Sequence, residues 1–495
     1  MNATCVMVLG TTSGAGKSWL TTALCRWYAN RGLKVAPFKA QNMSNNARVV
    51  GPGREIGSAQ YFQALAARAV PDVRMNPLLL KPEADTRSQV VLLGQVNEAL
   101  SRAPWRGRSA SVWPVIARSL DELRAENDVV VIEGAGSPAE INLRDSDVVN
   151  MRVAQHAHAR CLLVSDIDRG GAFAHLYGTW ALLSEAERAL IHGFVLNKFR
   201  GDASLLSPAP EMLQQLTGVP TVATLPMIWQ HGLPDEDGID ETLDGGAADA
   251  VLTVAVVAYP RVSNLDEFEP LRQHPRVRLV WAREAPSLKG ADCVVLPGSK
   301  HTSADLAWLR AQGLDAAIAH HAGQGGAVLG ICGGLQMLGE ALIDPHGIDG
   351  NAPGLGLLPL VTLFEPAKTL QHTQARFGVL GGAWSCWTGL AVQGYEIHHG
   401  QTRPHAAMAA AGDLASEVMP GLSWQGRNGQ VLGTYLHGLF ESPGLVDAWV
   451  SARSGGQTGP GAPKTNPRTL DSVFEGLAES IDRHFAPGVL AAMAV

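Results

Sequence analysis

The stretch T-C-V-M-V-L-G-T-T-S-G-A-G-K-S, residues 4–18, decides the fold of the first half of this 495-residue chain. Its apolar run at residues 5–9 is long enough for a buried parallel strand. The glycines that follow let the backbone turn its N–H groups toward an anion, and residues 18–28 have the pattern of a helix whose N-terminus faces that anion. The order of strand, glycine-rich turn and helix therefore predicts a phosphate-binding loop.

This loop supplies most of the candidate nucleotide-binding residues. Lys17 is placed to reach the terminal phosphates of ATP, and the Ser18 hydroxyl is placed to ligate Mg²⁺. The usual spacing G-x-x-x-x-G-K-[ST] would put a glycine at Thr11, and this longer spacing resembles the dethiobiotin synthetase branch of such proteins. A glycine-rich turn without a nucleotide is the alternative. The predicted ATP-binding residues are Gly10, Thr11, Thr12, Ser13, Gly14, Ala15, Gly16, Lys17, Ser18 and Asn197.

Three further apolar runs end in polar residues, as the strands of an open parallel sheet do. Residues 129–132 lead to Glu133, residues 161–165 lead to D-I-D-R-G-G, and residues 194–196 lead to Asn197. Ligands of such sheets lie at the carboxyl ends of the strands, so Glu133 is predicted to act on Mg²⁺, directly or through water. An ordinary strand-end acid is the alternative for Glu133. The Asn197 amide is equally consistent with contacting a purine edge and with forming a turn.

A second glycine-rich motif, V-L-G-I-C-G-G-L-Q at residues 328–336, predicts a nucleophile. The spacing G-x-C-x-G puts Cys332 on a sharp turn between a strand at residues 327–329 and a helix that starts at Leu335. The helix N-terminus favours the thiolate and offers backbone N–H groups to an oxyanion. The alternative is that Cys332 is a small buried residue in an ordinary strand–helix turn.

A thiolate nucleophile needs a histidine that takes and returns a proton. Among the sixteen histidines, His437 is the preferred candidate because it follows the strand-like V-L-G-T-Y-L at residues 431–436. His398 and His399, in G-Y-E-I-H-H-G, are the second choice. The alternative for His437 is a hydrogen-bonded structural histidine.

Composition and charge indicate a large globular chain. Hydrophobic residues make up 46% of it and charged residues 17%, and the net charge of -7 includes no basic block, which disfavours nucleic acid as a partner. The six cysteines form no C-x-x-C pair, which argues against a zinc site or a disulfide framework and favours the reducing cytoplasm. No apolar segment reaches about 18 residues, so we expect neither a membrane span nor a signal peptide.

The pattern of the chain predicts two α/β domains. Residues 1–245 alternate strand-like and helical segments, which is typical of a parallel sheet with crossover helices. Residues 233–250 are acidic and glycine-rich and are interpreted as a linker, and residues 251–450 form the second α/β domain. The remaining residues, 451–495, begin with a Gly/Pro-rich link and end in a helix whose apolar face is expected to dock on a neighbouring domain.

These motifs together resemble a known family. The second domain is similar to the class I, triad-type glutamine amidotransferases, and the two halves together resemble the cobyric acid synthase family. The segment K-A-Q-N-M-S-N-N, residues 39–46, is the most specific feature, because it separates this family from other amidotransferases with a phosphate-binding loop. The other supporting segments are residues 10–18, 133–136, 166–171, 296–300, 330–336, 394–398 and 435–438.

The resemblance implies an ATP-, Mg²⁺- and glutamine-dependent ligase of cobalamin biosynthesis. Such enzymes amidate the b, d, e and g carboxylates of adenosylated cobyrinic acid a,c-diamide to give cobyric acid. By this resemblance Cys332 attacks glutamine, His437 transfers the proton, and the backbone near Gly298 or Gly333 stabilises the oxyanion. Residues 41–46 are then expected to contact phosphate or corrinoid carboxylates, and ammonia is expected to pass between the sites under protection. Two arginines are candidate carboxylate clamps or, equally, surface ion pairs: Arg144 and Arg169.

One departure from the wider class concerns the group that orients His437. Many triad amidotransferases have a glutamate two residues after the histidine, where this chain has Leu439 and where the cobyric acid branch also lacks it. Glu396 and Glu441 are the remaining candidates, and neither is assigned.

Three other functions compete with this interpretation. Cobyrinic acid a,c-diamide synthase shares both domain types, but residues 39–46 argue against it. CTP synthase also joins the two domain types but has the glutamate that Leu439 replaces here. A regulatory ATPase with a phosphate-binding loop is the third possibility, and the turn at Cys332 argues against a pure switch.

Overall fold

The computed structural model describes residues 2–84, 87–229, 231–234, 250–454 and 469–495. The part before residue 235 forms strands β1 to β12 and helices α1 to α8. The strands are β1 Thr4–Gly10, β2 Val35–Phe38, β3 Gln41–Met43, β4 Ala47–Val49, β5 Glu55–Gly57, β6 Leu78–Ala84, β7 Arg87–Leu92, β8 Gln95–Val96, β9 Val129–Glu133, β10 Arg160–Asp166, β11 Ile191–Phe199 and β12 Thr221–Pro226. The helices are α1 Lys17–Asn30, α2 Ser58–Ala66, α3 Glu98–Arg102, α4 Trp105–Glu126, α5 Met151–Ala157, α6 Ala172–Leu182, α7 Glu185–Arg188 and α8 Ala209–Thr217.

A six-stranded parallel sheet organises this first half, in the order β12-β11-β10-β1-β9-β2. On one side of β1, Thr4 pairs with Val129, and on the other Val6 pairs with Arg160. Helices cover both faces of the sheet, so β1 and β9 are buried almost throughout and their sequences are continuous apolar runs. The parallel strands bring the loop after β1 and the ends of β9, β10 and β11 to one edge.

The second half of the chain contains strands β13 to β25 and helices α9 to α16. The strands are β13 Leu252–Val257, β14 Val262–Ser263, β15 Val277–Ala282, β16 Cys293–Leu296, β17 Gly298–Ser299, β18 Ala327–Ile331, β19 Ala341–Ile343, β20 Ala352–Pro353, β21 Leu360–Arg376, β22 Ala391–Pro404, β23 Ser416–Met419, β24 Ser423–Gln425 and β25 Val431–Thr434. The helices are α9 Glu269–Gln273, α10 Thr302–Ala311, α11 Leu314–Gly323, α12 Gly333–Leu338, α13 Ala406–Ala410, α14 Leu445–Arg453, α15 Leu470–His484 and α16 Val489–Ala492.

A seven-stranded sheet organises this second half, in the order β15-β13-β16-β18-β25-β24-β23. Strands β15 to β25 in that order are parallel, and β24 and β23 add to the edge in antiparallel pairs. The adjacent ends of β18 and β25 bring the segments that begin at Cys332 and at Tyr435 close together. The long antiparallel pair β21–β22 lies across this edge and contacts β4 of the first half.

The C-terminal helix α15 packs on α1, the helix that follows the phosphate-binding loop. As its apolar spacing predicts, Val473, Phe474 and Leu477 are buried in the same core as α1. Arg26 of α1 pairs with Asp471 at 2.7 Å, so charges flank the apolar contact. The last segment of the chain therefore stabilises its first helix.

Three sequence-based boundaries differ from the structure or lie largely outside the described residues. The helix after Cys332 begins at Gly333 rather than Leu335, because the turn is completed by Cys332 alone, at φ 51° and ψ -104°. The predicted linker at residues 233–250 and link at 451–468 lie mostly outside the described residues, so the domain limits stay a prediction. Within the described residues, each helix is too short or too polar to cross a membrane.

Candidate functional site

The phosphate-binding loop opens onto a cavity of about 1220 Å³ at the carboxyl edge of the six-stranded sheet, the nucleotide cavity. Six of the predicted ATP-binding residues line it: Ser13, Gly14, Gly16, Lys17, Ser18 and Asn197. The other four are Gly10, the last residue of β1, and three loop residues that hydrogen-bond to Ser165, Lys17 and Asn197 respectively: Thr11, Thr12 and Ala15.

Close contacts fix the shape of the loop. Gly16 adopts φ 95°, and a Cβ there would lie 2.0 Å from Asn197 Nδ2, so only glycine fits. The Asn197 amide donates to the Ala15 carbonyl at 2.9 Å, which ties the end of β11 to the loop. Lys17 Nζ donates to the carbonyls of Thr12 and Gly136, at 3.0 and 3.2 Å. The ammonium group is thereby held at the cavity wall, where terminal phosphates would lie.

Glu133 is the centre of a buried polar network beside Lys17. Its Oε1 accepts from Ser18 Oγ at 2.8 Å and from Lys39 Nζ at 2.9 Å, and its Oε2 accepts from Gln63 Nε2 at 2.5 Å. Burial alone would raise the pKa of Glu133, but the Lys39 ammonium and these hydrogen bonds hold that pKa below its usual value. The carboxylate is therefore ionised and lies beside the hydroxyl predicted to share a metal with it.

The candidate clamping groups also line the nucleotide cavity. Gln41, Asn42 and Met43 of β3 contribute to its wall, together with Arg144 and Arg169. Each arginine has an acidic partner as well: Arg144 pairs with Glu187, and Arg169 Nε lies 3.5 Å from Asp166 Oδ2. The geometry is therefore consistent both with arginines that clamp substrate carboxylates and with arginines that form surface ion pairs.

Cys332 occupies a strained turn in the second half, and with His437 it forms the cysteine site. Its positive φ is held by glycines that allow close approach on both sides. A Cβ on Gly334 would lie 1.9 Å from the Leu296 carbonyl oxygen, and one on Gly333 would lie 2.8 Å from the Ser299 nitrogen. Residues 298–299 and the first turn of α12 are therefore in close contact, and the first N–H groups of a helix have no acceptor within the helix.

His437 lies near enough to Cys332 for the charge of that residue to act on the pKa of the imidazole. The Cys332 Sγ lies 3.6 Å from the Ile397 carbonyl oxygen, and the His437 backbone pairs with Tyr395 of β22 through N–H···O bonds of 2.9 and 3.1 Å. On the other side, Nδ1 lies 3.2 Å from Glu267 Oε1, and Oε2 of Glu267 accepts from the Gly438 N–H at 3.2 Å. Burial disfavours the imidazolium, but the charges of Glu267 and Cys332 raise the pKa of His437 to about 10. The imidazolium form of His437 is therefore favoured beside Cys332.

The second-choice histidines have other partners. His398 Nδ1 bonds to the Gly400 carbonyl at 2.7 Å, and its ring stacks on Tyr435. His399 Nδ1 bonds to the Glu365 carbonyl, and burial lowers the pKa of His399 to about 4. Both side chains are thus fixed by the β21–β22 pair.

Comparisons with known proteins agree with this two-part geometry. Residues 6–232 match the model of the CobQ/CobB/MinD/ParA nucleotide binding domain, and residues 253–444 match that of the CobB/CobQ-like glutamine amidotransferase domain. A protein of Polaromonas naphthalenivorans named cobyric acid synthase is 71% identical over 99% of this chain and 99% of its own length. A protein of Polaromonas sp. with the same name is 70% identical over 98% of this chain and 97% of its own.

The chain belongs to the cobyric acid synthase family. The predicted fold class, a parallel-sheet domain with a phosphate-binding loop followed by an amidotransferase α/β domain, is confirmed by the two domain models and the sheets.

Within this cobyric acid synthase family member, the two glutamates left unassigned for orienting His437 bond to other groups. Glu396 instead accepts hydrogen bonds from Thr373, Gln371 and His398, and Glu441 pairs with Arg48. Glu267 takes the position, 170 residues before the histidine in the chain. Its only sequence signal is the acidic run D-E-F-E at residues 266–269, which does not distinguish it from a surface segment.

Lys39 is a second site residue whose role the sequence did not show. It belongs to the segment most specific to the family, yet nothing local indicates that its ammonium pairs with Glu133 across 94 positions of the chain. The pairing arises because β2 and β9 are neighbours in the sheet, so their ends meet.

Proposed function

We propose that this chain makes cobyric acid in cobalamin biosynthesis. It amidates the b, d, e and g carboxylates of adenosylated cobyrinic acid a,c-diamide, with ATP as phosphoryl donor and glutamine as nitrogen source. The observation that supports this most strongly is the presence, in one chain, of the nucleotide cavity and the cysteine site. Relatives that match nearly its whole length at 69–71% identity carry the name cobyric acid synthase.

The first half-reaction takes place at the cysteine site. The Cys332 thiolate attacks the side-chain carbonyl carbon of glutamine, and backbone N–H groups near Gly298 and Gly333 stabilise the oxyanion. The His437 imidazolium gives its proton to the leaving nitrogen, so ammonia departs and a glutamyl thioester remains. Water, deprotonated by the now neutral His437, then releases glutamate. Glu267 keeps the ring oriented and stabilises its cationic form.

The second half-reaction takes place in the nucleotide cavity. A corrinoid carboxylate takes the γ-phosphoryl group of ATP, and Lys17 neutralises charge on the transferring group. Ammonia attacks the resulting acyl phosphate and displaces phosphate, leaving the amide. Since ammonia in neutral water is mostly protonated and then no longer nucleophilic, we propose that it crosses between the sites inside the protein.

Ser18 of α1 and Glu133 at the end of β9 fit Mg²⁺. Ser18 and Glu133 present a hydroxyl and a carboxylate 2.8 Å apart, and Mg²⁺ in such sites takes one or two protein oxygens together with phosphates and water. Bound by these two residues, the ion would neutralise phosphate charge during transfer. Lys39 and Gln63 hold the Glu133 carboxylate in place for that role.

The alternative functions are less well supported. Cobyrinic acid a,c-diamide synthase would also use both sites, but the full-length relatives reported above carry the other name. A regulatory ATPase would have no use for the buried arrangement of Cys332, His437 and Glu267.

Mass spectrometry of the corrinoid product tests the proposal. Cobyrinic acid a,c-diamide is incubated with the protein, Mg-ATP and glutamine, and the number of new amides is counted. Conversion of the b, d, e and g acids is the expected result. An unchanged a,c-diamide, or amidation of the a and c positions when unamidated cobyrinic acid is supplied instead, would reject it.

A further inference from the structure

Three consecutive residues of the first half hold three consecutive residues of the second. The Ala47 N–H donates to Asn264 Oδ1, and the Leu265 N–H donates to Asn46 Oδ1, both at 3.1 Å. Arg48 Nε donates to Asp266 Oδ2 at 2.7 Å. The next residue in the chain is Glu267, the partner of His437. The segment that carries Glu267 is therefore fixed by side chains and backbone of the other half of the molecule.

Arg48 extends this contact to the segment that carries His437. Its guanidinium pairs with Asp266 on one side and with Glu441 on the other. Glu441 ends the short 3-10 turn Leu439–Glu441, which follows His437 after a single glycine. One planar fork thus bridges the two backbone segments whose side chains form the Glu267–His437 pair.

The charged groups of this bridge are largely buried, which restricts the positions that they can take. The Arg48 side chain is 5% exposed and that of Asp266 is 1% exposed, and the guanidinium lies 4.9 Å from the ring centroid of Tyr395, which is buried beside His437. Asp266 Oδ1 also accepts from the Ser58 hydroxyl of α2 at 3.4 Å. Enclosed charges of this kind keep one arrangement, because any other leaves a charge unpaired in a poorly solvated space.

We propose that Arg48 is a positioning residue of the cysteine site, supplied by the half of the chain that binds nucleotide. It holds the Glu267 segment and the His437 segment at the spacing that lets Glu267 orient the imidazole toward Cys332. The proposal rests on the proposed function, in which His437 transfers the proton during glutamine hydrolysis. It goes further in assigning the geometry of that site to a residue outside the amidotransferase domain.

Variants of Arg48 in the full chain test this role. Removing the arginine alone leaves the buried Asp266 carboxylate without a cation beside it, so the main variant is the double change R48M/D266N, with R48K beside it. Since a small misplacement of catalytic groups costs on the order of 10²-fold, we expect the glutaminase kcat of R48M/D266N to fall by about 10²-fold. Its KM for glutamine should stay near the wild-type value, because orientation of His437 matters in the transition state.

R48K separates geometry from charge. It keeps the positive charge but loses the planar fork, so glutaminase kcat should lie between those of wild type and R48M/D266N. Ammonia-dependent amidation should be unchanged in both variants. A wild-type kcat in folded R48M/D266N overturns the proposal, and so does a loss of ammonia-dependent amidation equal to the loss of glutaminase activity.

A control is available at another buried arginine of the first half. Arg26 has a side chain 1% exposed and pairs with Asp471 of α15, whose side chain is 71% exposed. R26M/D471N should keep wild-type glutaminase activity, and a loss as large as that of R48M/D266N would overturn a specific role for Arg48. Failure of the wild-type protein to amidate the corrinoid with ammonia would instead reject the proposed function, while glutamate release still reports on Arg48.

Discussion

The nucleotide cavity and the cysteine site differ in how far each is enclosed by protein. The cysteine site is closed: Cys332 is 6% exposed and His437 is 1% exposed, and their partner Glu267 is fully buried. The nucleotide cavity is a broad space of about 1220 Å³ whose wall includes exposed cations such as Arg169. A small substrate that loses ammonia needs an enclosed, preorganised site, whereas ATP and a corrinoid need room and charge.

The comparison also predicts that the two chemistries can be separated by mutation. Groups of the cysteine site come from β18, β25 and the segment around Glu267, and groups of the nucleotide cavity come from the edge of the other sheet. A substitution in one site should therefore leave the reaction at the other site measurable. The loss of activity at each site then shows how independent the two sites are.

Cys332→Ala is expected to have the largest effect. Without the thiolate no thioester forms, so glutamine-dependent amidation and glutamate release should be abolished. Ammonia-dependent amidation should continue, because the acyl phosphate forms in the nucleotide cavity. Comparing the rates with glutamine and with ammonium salts checks this. Loss of both activities in a folded variant would break the division between the sites.

Lys17→Ala should have the converse effect. It removes a charge from the transferring phosphoryl group, and loss of one such contact lowers kcat by about 10²–10³-fold. Amidation should therefore collapse with either nitrogen source, while glutamate release at saturating glutamine is retained. Near-normal amidation at saturating ATP would show that this loop is not the catalytic nucleotide site.

His437→Ala tests the assignment of the proton-transfer group. We expect glutaminase activity to fall by at least about 10²-fold, the usual size of a general acid–base contribution, with ammonia-dependent synthesis retained. His398→Ala and His399→Ala are matched controls and should have weaker effects, mainly on apparent affinity for glutamine. If either control gives the larger loss, the base lies in the β21–β22 pair.

Thiol alkylation gives an independent measure of the same assignment. His437→Ala should slow modification of Cys332 near neutral pH, because less thiolate is present. Four other cysteines provide little background, since burial raises the pKa of Cys5 to about 11 and also raises those of Cys25, Cys161 and Cys293. An unchanged alkylation rate would argue against a thiolate–imidazolium pair.

Glu267→Gln should have the smallest effect on glutaminase kcat, because the amide keeps the shape of the side chain, and its main effect should be on the pH dependence. Burial lowers the pKa of His437, but Glu267 and Cys332 together raise it to about 10, so the imidazolium is present at neutral pH and is lost as pH rises through that value. The neutral amide lowers this pKa, so glutaminase activity should decline at lower pH on the alkaline side. Glu396→Gln is the control and should leave that limb in place. An unmoved alkaline limb in E267Q would contradict the role of Glu267.

Local patterns were sufficient for the elements that position both sites. Apolar runs predicted the strands that precede Gly10, Glu133, Asn197 and Cys332, because a strand buried on both faces has to be continuously apolar. Glycines predicted the two turns, because the backbone conformations and close approaches there exclude a Cβ. Fold class and family follow from these features.

Contacts between distant parts of the chain could not be predicted in this way. Glu267 meets His437 across 170 positions, and Arg48 meets Asp266 across 218. No periodicity or spacing in the sequence indicates either contact, because each forms only when the folded sheets and loops pack together. The sequence therefore identified the nucleophile and the histidine, but not the acid that orients the histidine or the arginine that spans the two halves.

In the proposed reaction, nitrogen released at Cys332 reaches carboxylates that are activated in the nucleotide cavity. The most direct measurement supplies glutamine labelled with ¹⁵N at its side-chain amide, together with unlabelled ammonium, and counts ¹⁵N in the corrinoid by mass spectrometry. In the wild-type protein the new b, d, e and g amides should carry predominantly ¹⁵N, and in Cys332→Ala the same amides should form from unlabelled ammonium. Labelled amides made by Cys332→Ala, or mainly unlabelled amides made by the wild type, would contradict the account.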